Sequence, residues 1–242
     1  MIPELSHIFH GPFATLGETL SINTAPTMPL GNFCSSPQLQ ATLEIFARRW
    51  PEADPRVVAT QWSKTYFSTF LPAVLLPCLL HDWYLPLSPQ KMGIRISSAG
   101  AVSGFELPSP GGHCNALKEA PGRFDFLVIH HLRPVIEMLA SATPLPAKVL
   151  WSNAGNVFEN VVGRASRLLG NDHPAIREAM SIMEDRRDPS GRINPLFEPI
   201  RYIDKSGETI RQRRICCLRY FTPKLGYCKS CPKSATGAAC ST

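Results

Sequence analysis

Apolar residues fall into helical and alternating runs that divide the chain into elements. Behind a Ser36-Pro37 start, Leu39, Leu43, Ile45 and Phe46 form one stripe, with Arg48-Arg49 at the far end and Pro51 as a stop. Asp54-Pro55 opens a second helix the same way, carrying Val57, Val58, Trp62, Tyr66 and Phe70. Pro72 and Pro77 are expected to kink or break it, and residues 73–84, apolar nearly all round, are expected in the core. Residues 92–107 alternate in two arms around Ser-Ser-Ala-Gly, the pattern of a β-hairpin. Phe124 to Ser141 returns to helical spacing, with Pro134 kinking or restarting the helix. A short apolar Val149–Trp151 piece precedes a helix over 156–169, capped by Asn153 or Asn156. Another helix is expected from Pro174 to about Arg187 with Asp172 as cap and Met180 and Met183 in its core face. Ile200–Ile203 and Glu208–Arg211 around Asp-Lys-Ser-Gly form the clearer hairpin. Residues 1–35 read as an irregular arm lying across the domain, with an amphipathic piece near Leu16–Ile22, and 233–242 as a frayed tail. The fold class is therefore α+β and helix-rich: a helical body with two β-hairpins.

Composition bounds this picture. A chain of 242 residues is one large domain or two small ones, and 44% hydrophobic with 18% charged residues is globular. The net charge of +6 and pI near 9.0 suit an anionic partner. Neither RNP-type aromatics nor zinc-finger spacing supports nucleic acid. No signal peptide is read at Met1–His7. The longest apolar run, Phe70–Leu80, is too short to span a bilayer. A soluble, cytoplasmic protein is expected, with room for peripheral association with the inner membrane.

The chemistry concentrates in one stretch, Arg211 to Pro232. Cys216, Cys217, Cys228 and Cys231 have the spacing CC-x10-C-x2-C. Four thiolates so close in sequence can reach one point, as an iron–sulfur cluster or a structural zinc site. Only Cys228–Cys231 has the tight-turn form that zinc knuckles use in pairs, and the adjacent Cys216-Cys217 is unusual for tetrahedral zinc. The other reactive residue types read as structural. His7 and His10 belong to a loop, His81-Asp82 to a helix end, and Gly111-Gly112 and His113-Cys114 to a second loop. Of His130 and His131, one is expected buried and one exposed. Cys78 reads as a small hydrophobe and Cys240 as a free thiol, and Cys34, Cys78, Cys114 and Cys240 are expected to play no part in metal binding.

The four-cysteine stretch, with Arg214, Tyr220 and Pro232 beside it, resembles the C-terminal motif of the FhuF-type ferric siderophore reductases. Trp151-Ser-Asn-Ala-Gly-Asn156 is similar to a further stretch of that family. The resemblance implies a [2Fe-2S] cluster on Cys216, Cys217, Cys228 and Cys231. It also implies one-electron reduction of a ferric siderophore, of hydroxamate type, fed by a reduced ferredoxin or flavodoxin. Trp151, Asn153, Arg164 and Arg167 are candidates for siderophore binding, because they combine aromatic, amide and guanidinium chemistry near one helix start. Arg211, Arg213, Arg214 and Arg219 bracket the cysteines and are candidates for donor docking or for tuning the potential. Residues 1–207 would form a siderophore-binding body, 208–232 the cluster motif and 233–242 the tail. Two other readings stand beside this one. The first is a binding module held by zinc or a sensing cluster. The second is an electron-transfer protein without its own substrate pocket.

Overall fold

The computed structural model describes residues 2–114, 122–188, 190–205 and 207–234. Its first residues lie across the body as expected, but as a strap of short ordered elements docked into the core. Single 3-10 turns at Pro3–Leu5 and Gly11–Phe13 lead into α1 (Ala14–Gly17) and β1 (Leu20–Ile22). Ile2, Leu5, Ile8 and Phe9 are buried in the main core, while His7 and His10 are exposed. One-turn elements are too short to produce a periodic signal, so the Gly- and Pro-rich composition hid them. The expected amphipathic piece splits between α1 and β1.

α2 (Leu30–Cys34) precedes α3 (Pro37–Ala47), which starts at Pro37 and buries Leu39, Leu43 and Phe46 as its stripe requires. Ser36 holds the N-cap position, but its Oγ donates backwards to the Phe33 carbonyl at 3.0 Å. α4 (Pro55–His81) is properly capped, Asp54 accepting from the Arg56 amide at 2.8 Å. Contrary to expectation it runs through Pro72 and Pro77 without a break. Each proline deletes a backbone hydrogen bond, at a cost of about 3 kcal/mol. Phe70, Leu71 and every residue from Ala73 to Leu79 are buried, and that packing outweighs the loss. The continuous helix is long and apolar enough to cross a membrane, with 67% of its most apolar window buried inside this fold.

β2 (Trp83–Tyr84), β3 (Gly93–Ile96), β4 (Val102–Leu107) and β5 (Gly112–His113) follow. The expected hairpin is the antiparallel β3–β4 pair, extended to a three-stranded sheet by β1 running parallel to β4. β2 and β5 form a separate ribbon. Asp82 ends α4 in the left-handed region and pairs with Arg123, while His81 packs edge-on to His7. α5 (Asp125–Leu127), a π-helical segment at Val128–Leu132 and α6 (Arg133–Ala142) take the place of one regular helix. The wider π turn brings the chain to Pro134, which sits in the first turn of α6 where its missing N–H has no intrahelical role. His131 is buried and His130 exposed.

α7 (Ala147–Leu169) begins nine residues before the expected position, so Trp151, Asn153 and Asn156 lie inside the helix and none caps it. α8 (Pro174–Glu184) has His173 rather than Asp172 at its N-cap. Met180 and Met183 pack partly buried against the core. β6 (Ile200–Lys205) and β7 (Glu208–Arg213) form the second hairpin in full register. α4 packs along α7 at the centre of the molecule, and the β6–β7 ribbon runs beside α7. Of the tail, Lys233 and Ser234 are described, and residues 235–242, including Cys240, lie outside the described residues.

Candidate metal centre

β7 delivers the cysteines. Its last residues are fastened on both sides: the Arg213 amide donates to Ser230 O at 2.8 Å and the Arg214 amide to Pro199 O at 3.1 Å. The chain then turns through Cys216 and Cys217, with Leu218 left-handed at φ 58° and its amide 3.4 Å from the Cys216 sulfur. After a 3-10 turn at Arg219–Phe221 it returns through Cys228 and Cys231, which close a tight turn with the Cys231 amide on Cys228 O at 3.0 Å. Cys217 and Cys228 approach to 3.7 Å between sulfurs, and the Cys216 and Cys231 thiols neighbour one another. Cys217 and Cys231 are buried, Cys216 and Cys228 half-buried. Among the described residues no three His, Cys, Asp or Glu side chains already converge at single-ion distance.

The surroundings of these sulfurs are cationic, with Lys64 supplied by the body and Arg213 by β7 itself. Lys64, on α4, donates from Nζ to the Cys217 sulfur at 2.9 Å. Burial pulls the Lys64 ammonium down, and the charge of Cys217 resists. The hydrogen bond shared with Cys228, and then the Lys64 ammonium, pull the Cys217 thiol down to about 4. Arg213 is 3% exposed and has no carboxylate partner among the described residues. Its Nη2 donates to Ser152 O at 2.7 Å and Asn153 Oδ1 at 2.6 Å, and its Nε is buried without a partner. One half-buried and one buried cation beside four thiols, with no acid paired to either among the described residues, need anionic sulfur to balance them. That donor set fits a thiolate-held metal centre, and Cys216, Cys217, Cys228 and Cys231 are the residues that would hold it.

The helical segment from Trp151 to Asn156 attaches the ribbon to the body. Ser152 Oγ donates to Ile215 O at 3.0 Å. Asn153 is buried, donating to Thr60 Oγ1 at 2.9 Å and Ser63 Oγ at 2.8 Å while it accepts from Arg213. Gly155 lets α7 approach the strand entry so closely that a Cβ there would meet the Pro199 ring at 2.6 Å. Asn156 and Glu159 together bind Arg211, whose Nη1 lies 3.0 Å from Asn156 Oδ1.

The residues singled out in the sequence thus separate. Trp151 lines a cavity of about 570 Å³ together with Arg214 and Ile215. Asn153 is part of the buried network. Arg164 and Arg167 are exposed on the far half of α7, away from both. Arg211 and Arg213 are engaged with α7, Arg214 is exposed with its Nη1 on Phe197 O at 3.0 Å, and Arg219 is half-buried. Lys64, Thr60, Ser63 and Ser152 escaped sequence reasoning. No local pattern marks them: Lys64 is the one lysine of α4, but Gln61, Ser63 and Thr65 beside it are polar too.

Residues 60–210 match the family model described as the ferric iron reductase FhuF-like transporter, and residues 213–233 match the FhuF 2Fe-2S C-terminal domain. The chain belongs to the FhuF-like ferric iron reductase family. Its second match covers all four cysteines. Among curated proteins, the ferric siderophore reductase of Escherichia coli (strain K12) is 24% identical over 227 residues, 90% of this chain and 83% of that protein. Two solved structures of the aerobactin synthetase IucA from a hypervirulent pathotype of Klebsiella pneumoniae, one ATP-bound, superpose with TM-scores of 0.51 and 0.52. They share 13% identity and cover 70% of this chain but only 36% of the synthetase, a likeness of fold alone.

Proposed function

We propose that this FhuF-like protein is a ferric siderophore reductase. Cys216, Cys217, Cys228 and Cys231 would hold a [2Fe-2S] cluster, and the body formed by residues 1–207 would receive the chelate. The observation that carries the reading is the four-cysteine corner whose counter-charges are the half-buried Lys64 and the buried Arg213. When bound, a [2Fe-2S] cluster supplies one electron at a time. Lys64 and Arg213 hold positive charge against the sulfurs and favour the more reduced, more negative state. The Ser152–Ile215 bond ties the cysteine-bearing loop to α7, and the Arg213–Ser230 bond closes that loop on itself.

The substrate is ferric iron in hydroxamate-type oxygen chelates. Hard oxygen donors hold the ferric ion far better than the ferrous ion, so gaining one electron loosens the chelate without breaking its bonds. A reduced ferredoxin or flavodoxin would supply that electron. With Arg211 and Arg213 engaged, the exposed Lys224 and Lys229 beside the cysteines are cations that would meet an acidic donor. The seat of this reaction is the cytoplasm, where thiols stay reduced.

Anaerobically purified protein, chemically reduced and mixed with a ferric trihydroxamate, tests the reading. The visible spectrum should return to its oxidised form in a single-electron step, a ferrous trap should capture one iron per cluster, and the rate should saturate with chelate. A colourless, zinc-bearing protein would replace this reading with a zinc-held binding module. A rate rising linearly, indifferent to chelate shape, would make the protein a general electron carrier.

A further inference from the structure

The cavity beside the cysteine motif is built for charge. Five cations line it, Lys148, Arg186, Arg187, Arg201 and Arg214, against a single carboxylate, Glu198. That carboxylate is already taken, 3.0 Å from Arg201. Arg187 is turned to the carbonyl of Gly191, whereas Lys148 and Arg186 are exposed and have no acidic partner among the described residues. The apolar wall is equally marked. Trp151 lies on it, and Arg186 and Arg214 stand over the Phe197 ring at 5.2 and 5.4 Å. Ile193, 79% exposed, offers an uncovered aliphatic contact at the same cavity. The loop carrying these residues is pinned from below by Asn194, whose amide donates to Ile182 O at 2.6 Å and Asp185 O at 2.8 Å.

We infer that this cavity is the chelate-docking site and that it selects ferric chelates bearing pendant carboxylates over neutral or cationic ones. The inference rests on the reductase reading and adds the charge class of its substrate. A cavity of about 570 Å³ is the size of small-molecule sites. Guanidinium groups pair with carboxylates bidentately, and an aromatic face backed by arginines takes the flat edges of chelate rings. The wall formed by Arg214 and Ile215 ends at Cys216, so a chelate seated here lies beside the cysteine loop.

Binding is measured apart from redox chemistry with gallium(III), which is not reduced, in two chelators of one scaffold: desferrioxamine B, ending in an ammonium, and its N-succinyl derivative, ending in a carboxylate. By titration calorimetry the carboxylate form should bind about ten-fold tighter at low salt, with the gap narrowing as salt rises. Lys148→Gln with Arg186→Gln should bring the two within about two-fold, largely by weakening the carboxylate form. Arg186→Lys alone should retain most of the preference. The spectrum of each variant checks that the cysteine site is intact. Equal affinity for the two chelates, or a preference unchanged in the double variant, overturns the inference. Failure of the reductase reading looks different: the charge preference would persist in the gallium complexes while the reduced protein left the ferric forms unreduced.

Discussion

Two buried polar networks sit on consecutive turns of α4, and they are built on opposite principles. In one, His131 Nδ1 donates to Leu87 O at 2.7 Å and Nε2 accepts from the Tyr66 hydroxyl at 2.8 Å, with Phe70 stacked 4.0 Å from the imidazole. Every ring nitrogen has one partner and the network carries no charge. In the other, Thr60 and Ser63 orient Asn153, Asn153 and Ser152 hold Arg213, and Lys64 reaches Cys217. This network carries two positive charges and an unpartnered Arg213 Nε, and it closes only on sulfur. The first stabilises the fold whatever the protein carries. The second is a stable arrangement only in company with thiolates.

The largest expected effect tests the sulfur side. Replacing any one of Cys216, Cys217, Cys228 or Cys231 by Ser should remove the cluster, read as lost iron, sulfide and colour. Variants at Cys34, Cys78, Cys114 and Cys240 should keep it. Full occupancy in Cys217→Ser would break the contrast, because Cys217 is the sulfur that Lys64 holds.

Acid should next separate the neutral network. Burial holds His131 down at about 3, against about 6.5 in an unfolded chain. Between these values the unfolded state binds the extra proton, so stability is full above about pH 6.5 and falls by about 1.4 kcal/mol per pH unit below it. Urea unfolding of cluster-free protein between pH 7 and pH 4.5 should show that slope, and His131→Gln should flatten it. An unchanged slope in the variant would assign the loss to other groups.

Arg213→Met should destabilise the cluster-loaded protein by about 3 kcal/mol and the cluster-free protein by much less, since the charge it removes is balanced only by anionic sulfur. Equal losses in both forms would show that Arg213 merely packs. Tyr66→Phe is the smaller counterpart. Leaving His131 Nε2 unpaired should cost about 1–2 kcal/mol, the same in both forms, by urea titration.

Legibility in the sequence follows the range of the forces involved. The starts at Pro37, Pro55 and Pro174 and the β6–β7 hairpin are local, set by prolines and a four-residue turn, and they are where the pattern put them. The cysteine spacing is local too, and the family match covers it. What failed depends on tertiary packing. Pro72 and Pro77 do not break α4 because burial on nearly every side overrides a local penalty. α7 begins early because Ser152, Asn153 and Asn156, read as loop and cap residues, spend their hydrogen bonds on Ile215, Thr60, Ser63 and Arg211 instead. The short strap at Ile2–Phe9 has no period to read. Lys64 was invisible as a site residue because nothing near it in sequence says what it faces.

The Lys64–Cys217 contact joins positions 153 residues apart. Seen in time rather than space, this makes the centre a late product of synthesis. α4 and α7 leave the ribosome well before Cys228 and Cys231, so Lys64 waits on a folded helix for its sulfur. Nascent chains halted before Cys228 should already protect α4 from protease yet take up no cluster. Iron–sulfur assembly factors would then meet a body whose ribbon is already fastened to α7, and loading would fix only the cysteine loop beyond it.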